Sequence, residues 1–160
     1  VTVRRVESAR DMLAACEAAL PVDVAVCAAA VADWRTDHTA PQKMKRGDQA
    51  DLSLRLQQNP DILATLSAAG NQRPALVVGF AAETERVVEH ARAKRGRKGC
   101  DWIVANDVSA ETGTFGGDDN TVHLIMGDET ETWPRMTKQA VAEALAARIA
   151  DRLGAAAGPG

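Results

Sequence analysis

An unbroken apolar run from Val24 to Ala32, closed by the triplet Asp33-Trp34-Arg35, constrains the fold of this chain more than any other stretch. A strand with one wet face alternates apolar and polar side chains. One without alternation must be covered on both faces, as in a parallel sheet flanked by helices. We therefore place a buried central strand over 22–31. Ligands of parallel sheets bind at the carboxyl ends of the strands, where Asp33, Trp34 and Arg35 bring a carboxylate, an indole and a guanidinium. The triplet also fits a helix cap beside a packing tryptophan.

The flanking sequence repeats the same logic. Val1, Val3 and Val6 mark a short strand; Ser8 and Asp11 have capping-box spacing; Met12, Leu13, Cys16, Ala19 and Leu20 share one helical face. Strand, helix and strand in that order imply a right-handed parallel crossover, hence an α/β fold. Residues 35–49 leave almost nothing to bury and read as an exposed, mobile loop. Leu52, Leu54 and Leu56 alternate with polar neighbours as in a half-wet strand. Asn59-Pro60-Asp61 then opens a helix, with Asn as N-cap and Pro at its first position, that Gly70 stops. Leu76 to Phe80 form the next buried strand. Thr84 and Glu85 begin a helix with Val87, Val88 and Ala91 inward, bracketed by Gly96 and Gly99, and Trp102 to Ala105 make a further strand ending in Asn106-Asp107. After a Gly- and Asp-rich loop at 111–120, Val122, Leu124 and Met126 alternate up to a Gly127-Asp128 turn that leads to Trp133, an edge hairpin. Thr137 caps a last helix lined by Val141, Leu145, Ile149 and Leu153. The expected architecture is a three-layer α/β/α domain over 1–153, with a mainly parallel, Rossmann-like or ribokinase-like sheet and an antiparallel edge hairpin, followed by a disordered tail at 154–160.

Composition narrows the function classes. At 160 residues, 46% hydrophobic and 26% charged, the chain suits one soluble domain, and a net charge of -3 argues against general nucleic-acid affinity. No run approaches the roughly 18 apolar residues of a membrane helix, and no secretory signal opens the chain. Cys16, Cys27 and Cys100 lack CxxC spacing, which points to reduced thiols in the cytoplasm and no zinc site. The first residue is Val inside a strand-like pattern, the start expected of a piece of a longer polypeptide.

Four features fall at strand ends or helix starts: Asp33-Trp34-Arg35, Asn59 to Ile62, Gly79 to Thr84, and Asn106-Asp107. Alternation of strand and helix gathers such ends along one sheet edge, so separate motifs converge without sequence proximity. Singly, each has a plainer reading: Asn59 to Ile62 as an ordinary cap, Phe80 as core. The run Arg92, Lys94, Arg95, Arg97 and Lys98 exceeds what the negative end of a helix dipole requires and suits a triphosphate, though a solvated helix end also carries such charge. Lys43, Lys45 and Arg46 lie on the loop after the central strand, where a lysine closing over a site would stabilise developing negative charge. A loop serving solubility has the same composition. His38, His90 and His123 lack metal spacing. Gly113, Gly116 and Gly117 are followed by no Lys-Ser or Lys-Thr, so they form no P-loop, and GxGxxG is missing.

Six stretches together resemble one family: AAAVADWR at 28–35, APQKMKR at 40–46, NPDIL at 59–63, VGFAAET at 78–84, AKRGRKGCDWIVANDVS at 93–109 and FGGDDNTVHLI at 115–125. In order and spacing they are similar to the phosphopantothenoylcysteine synthetase domain, the C-terminal half of the bacterial bifunctional coenzyme A biosynthesis protein. The resemblance spans nearly the whole chain. It implies a ligase that uses CTP as co-substrate, with Mg2+, to activate 4'-phosphopantothenate as an acyl-cytidylate, after which the amine of cysteine displaces CMP. By position, Ala28, Ala29 and Asp33 resemble nucleotide-contacting residues, Pro60, Asp61, Ile62 and Leu63 the helix start that reads the base, and Phe80, Lys94 and Lys98 further nucleotide-binding positions. Lys43 matches the catalytic lysine of the flap over the active site. The family further implies a cytoplasmic homodimer, part of a larger oligomer where a decarboxylase domain is fused.

One departure stands out. The family's strand, Gly-rich loop, helix and second strand upstream of the position matching Val1 are missing here, which implies weak nucleotide binding and little activity if the polypeptide starts at Val1. The upstream flavin-dependent decarboxylase is missing too, so no flavin is expected. Two other classes remain in view: a dinucleotide-dependent Rossmann-like oxidoreductase, and a non-catalytic nucleotide-binding module.

Overall fold

The computed structural model describes residues 1–38, 53–108 and 119–156. Its elements are α1 (Ala9–Glu17), β1 (Val24–Cys27), β2 (Trp34–Thr36), β3 (Leu56–Gln58), α2 (Ile62–Ser67), β4 (Leu76–Glu83), α3 (Val87–Lys98), β5 (Trp102–Asp107), β6 (Asp119–Met126), β7 (Glu129–Thr137) and α4 (Lys138–Ala156), with a 3-10 turn at Gly70–Gln72. Five strands form a mixed sheet in the order β1-β4-β5-β6-β7, while β2 and β3 make a separate antiparallel ribbon. The pairs β1-β4 and β4-β5 are parallel, and β5-β6-β7 continue antiparallel. This is the expected α/β architecture with its edge hairpin, turned at Gly127-Asp128 where Gly127 has a φ of 61°.

The strand period sorts the core into two layers. Leu76, Val78, Trp102, Val104, Val122 and Leu124 face one side of the sheet, where Val141 and Leu145 of α4 cover them. Val77, Ala81, Ile103, Ala105 and Ile125 face the other, against Ala91 and Val88 of α3 and Leu63 of α2. Gly79 lets α2 approach the sheet: a Cβ there would stand 2.5 Å from Leu63 Cδ2 and 2.9 Å from Ile103 Cδ1.

Several boundaries differ from the sequence reading. Residues 1–7 form no strand, and Val1 and Val3 are exposed, because among the described residues no partner strand lies beside them. The crossover inferred from that strand therefore falls; the parallel connections observed run from β1 through the ribbon and α2 to β4, and from β4 through α3 to β5. β1 is four residues long and, among the described residues, pairs on one side only, with β4; Val26 is 46% exposed, so β1 is neither central nor covered on both faces. Its apolar continuation, Ala28 to Ala32, is mostly exposed and irregular, since alanines are too small to drive burial. β3 starts at Leu56, the last leucine of the expected alternation; Leu54 precedes it, and Leu52 lies outside the described residues. β4 runs through Glu83, delaying α3 to Val87. The capping box of Ser8 with Asp11 is present, and Thr137 Oγ1 accepts from the Ala140 amide at 3.2 Å as expected. α4 continues to Ala156, three residues beyond its expected end.

Candidate functional site

At the carboxyl end of β1 the chain encloses a cleft of about 740 Å³. Val26 and Cys27 of β1 and Phe80 of β4 line its base. Ala28, Ala29 and Asp33 line it, as do Gln58 to Leu63, and the two stretches adjoin where the Asn59 amide donates to the Asp33 carbonyl. Met12 and Cys16 reach in from α1, and Lys94 and Lys98 from α3. The two lysines stand one turn apart on α3, which puts them on one helix face.

Each polar group is held by a definable contact. Asp61, not Asn59, caps α2: its Oδ1 accepts from the Ala64 amide at 3.1 Å. Its Oδ2 pairs with Lys98 Nζ. Burial pushes the Asp61 carboxyl upward, but the hydrogen bonds from Lys98 and the Ala64 amide, with the charges of Lys98 and Arg97, outweigh it and hold the group below its ordinary value. Lys94 Nζ donates to the Phe80 carbonyl at 2.8 Å, which anchors one cation at the base of the cleft. Arg92 of the same basic run turns away, to the Asp128 carbonyl and Thr130 Oγ1. An anion entering the cleft therefore meets two positioned ammonium groups.

Cys27 contributes no nucleophile. Burial pushes its thiol up to about 11, and neighbouring Cys16, Cys100 and Asp61 add to the shift. Alkylation of Cys27 by iodoacetamide at pH 8 should be slower than that of a free thiol and should accelerate through pH 9 to 11, read by peptide mass spectrometry; labelling at the free-thiol rate would contradict the assignment. The sign for stability follows. The contribution of the neutral thiol is complete below the unfolded thiol's value near 9 and is lost as pH rises through about 11.

All ten residues expected to bind nucleotide (Ala28, Ala29, Asp33, Pro60, Asp61, Ile62, Leu63, Phe80, Lys94 and Lys98) border this one cleft. Lys43, Lys45 and Arg46 lie outside the described residues, as do Gly113, Gly116 and Gly117. Asn106 and Asp107 end β5, register partners of Ala82 and Glu83, away from the cleft. Asp33 and Trp34 open the ribbon instead of closing β1, and Trp34 is 56% exposed, so neither the strand-end nor the packing reading holds for it. The sequence reading missed Met12, Cys16 and Cys27 as lining; helical spacing marked the first two as apolar, which does not separate core from cleft.

Among the described residues no group of three His, Cys, Asp or Glu side chains could hold a metal ion. That donor set still suits Mg2+, which takes one or two carboxylates together with substrate phosphates. Asp33 is the carboxylate at the cleft that would serve, since that of Asp61 is engaged by Lys98 and the Ala64 amide.

Residues 1–153 match the model of the DNA/pantothenate metabolism flavoprotein C-terminal domain. The chain belongs to that family. It is 41% identical over 157 residues to the coenzyme A biosynthesis bifunctional protein CoaBC of Escherichia coli K12, covering 94% of this chain and 38% of that protein. The corresponding protein of Mycolicibacterium smegmatis is 44% identical over 118 residues, 69% of this chain and 28% of its own length. Among solved structures, the C-terminal domain of a coenzyme A biosynthesis bifunctional protein CoaBC superposes with a TM-score of 0.73 at 34% identity, over 96% of this chain and 67% of that one. A DNA/pantothenate metabolism flavoprotein from Streptococcus pneumoniae shares the fold, with a TM-score of 0.70 at 18% identity over 94% of this chain and 70% of its own. The chain thus spans about two fifths of the length of the full bifunctional relative from Escherichia coli. No helix among the described residues is long and apolar enough to cross a membrane.

Proposed function

We propose that this domain acts in coenzyme A biosynthesis as a phosphopantothenate-cysteine ligase, in the cytoplasm. A carboxylate oxygen of 4'-phosphopantothenate attacks the α-phosphorus of CTP, pyrophosphate leaves, and the amine of cysteine then displaces CMP from the acyl-cytidylate to form the amide. The observation that carries this reading is the cleft, in which ten residues from four separated segments meet around Lys94 and Lys98 in a chain of this family. The lysines would bind the triphosphate, Asp33 a ribose hydroxyl or the nucleotide's magnesium, and Phe80 with Pro60 to Leu63 the base. Lys43 would neutralise charge as the acyl-cytidylate forms. No protein nucleophile is needed, which agrees with the suppressed Cys27 thiol. A homodimer belongs to the proposal. Trp34 and Leu56, exposed on one face of the ribbon by their register with Gln58 and Thr36, are apolar surface that a second copy would cover.

Calorimetric titration with CTP, ATP and NADP tests the reading. CTP should bind most tightly, and Asp33→Asn should weaken it about tenfold, the worth of one charge-assisted contact. Preference for NADP would move the protein to the oxidoreductases. CTP binding in a full-length protein that forms no amide would make it a binding module.

A further inference from the structure

We infer that Asn59, braced by Arg35, is a positioning residue that fixes the 28–33 border of the cleft beside the start of α2; its consequence for ligand affinity rests on the nucleotide site proposed above. The pattern Asn-Pro-Asp predicts a helix cap at Asn59, yet the cap is Asp61 and the Asn59 side chain is used elsewhere. Its Nδ2 donates to the Ala32 carbonyl at 2.8 Å, and its backbone amide donates to the Asp33 carbonyl at 2.8 Å. One residue just before α2 thus holds two successive carbonyls, and its backbone bond continues the β2-β3 ladder beyond the Trp34 and Gln58 pair. Arg35 completes the brace: its Nη1 bonds the Gln58 carbonyl and lies 3.5 Å from Asn59 Oδ1, while Nη2 donates to Gln57 Oε1 at 3.0 Å.

The segment held this way has no regular structure of its own from Ala28 to Ala32. It also separates the cleft from a second cavity of about 430 Å³, bordered by Ser8 and Arg10 at the start of α1 and by Arg35 and Thr36; Asn59 borders both cavities. At the end of this segment the Ala32 and Asp33 carbonyls accept from Asn59, and these bonds tie it to the start of α2. Asparagine suits the place because its amide has a donor for the Ala32 carbonyl and an acceptor for the guanidinium. Aspartate keeps only the second and sets a negative charge against a carbonyl oxygen. Since neither Asn59 nor Arg35 belongs to the buried core, loss of the brace should loosen this border and leave the sheet intact.

The experiment compares the wild-type chain with Asn59→Ala, Asn59→Asp and Arg35→Ala, by hydrogen exchange without ligand and by calorimetry with CTP. The amide at position 59, whose acceptor is the Asp33 carbonyl, should exchange about tenfold faster in both Asn59 variants, with β4 and β5 amides unchanged, and CTP should bind about tenfold more weakly. The double variant Asn59→Ala with Arg35→Ala should be no worse than the worse single one, as expected of groups acting as one unit. Unchanged exchange at position 59, or faster exchange spread equally over β4 and β5, would overturn the inference. If the wild-type chain does not bind CTP, the nucleotide reading fails while the exchange measurements still decide the role of Asn59.

Discussion

Replacing Arg73 with methionine is expected to lower the free energy of unfolding by about 2–4 kcal/mol, the cost of stranding several partly buried acceptors together with a carboxylate. Arg73 ties its own segment to the end of α2 and to the connection between α3 and β5, at the end of the sheet opposite the cleft. Its Nε donates to the Ser67 carbonyl at the end of α2 at 2.9 Å, and its Nη1 to the Pro74 carbonyl at 2.9 Å. Nη2 reaches the Gly99 carbonyl beyond α3 at 3.3 Å and Asp101 Oδ2 at 3.0 Å. The same Asp101 oxygen accepts from the Val77 amide at 2.7 Å, so the ion pair also anchors the start of β4 to that of β5. Both side chains are about two-thirds buried, which limits screening by solvent. Denaturant unfolding measures the effect. A change below about 0.5 kcal/mol, the size usual for a surface substitution, would show that water replaces these bonds at no cost.

Lys98→Met should weaken CTP binding by about 10- to 100-fold, the loss of one charge-assisted contact to phosphate. The variant should still fold, because Asp61 keeps its hydrogen bond to the Ala64 amide and α2 keeps its cap. A second readout is the acid limb. In the wild type the lowered Asp61 value means that the stabilisation is present above the ordinary carboxylate range and is lost only as pH falls through the lower, folded-state value. Without Lys98 the Asp61 value should rise, so the cap should be lost at a higher pH. Side-chain carboxyl NMR would follow this directly; an unshifted titration would show that the ion pair does not persist in solution. CTP binding at wild-type strength would remove Lys98 from the site.

The elements were legible in the sequence wherever a periodic pattern met a nearby signal. Leu76 to Phe80 and Trp102 to Ala105 are buried strands, Val122 to Met126 turns back at Gly127, and Ser8 and Thr137 start their helices as spacing predicts. Ten residues named from the motif stretches border the cleft. Illegible were features that depend on what lies next to a segment. The run Val24 to Ala32 is apolar throughout, yet only Val24 to Cys27 pair as a strand, at the end of the sheet, because hydropathy does not report whether a neighbour exists. Asn59 and Asp61 both have cap chemistry. Asp61 caps α2, while Asn59 holds the Ala32 and Asp33 carbonyls, which the fold brings beside it.

By itself, then, the sequence determined the α/β class, the order of most elements, the family and ten of the residues around the cleft, because side-chain period and local capping act over a few residues. Only the tertiary structure decided that β1 lies at the end of the sheet among the described residues, that Lys98 pairs with Asp61 and Lys94 with the Phe80 carbonyl, and that Asn59 holds the Ala32 carbonyl. Those are contacts between distant segments, set by how the layers pack, and no local pattern encodes them.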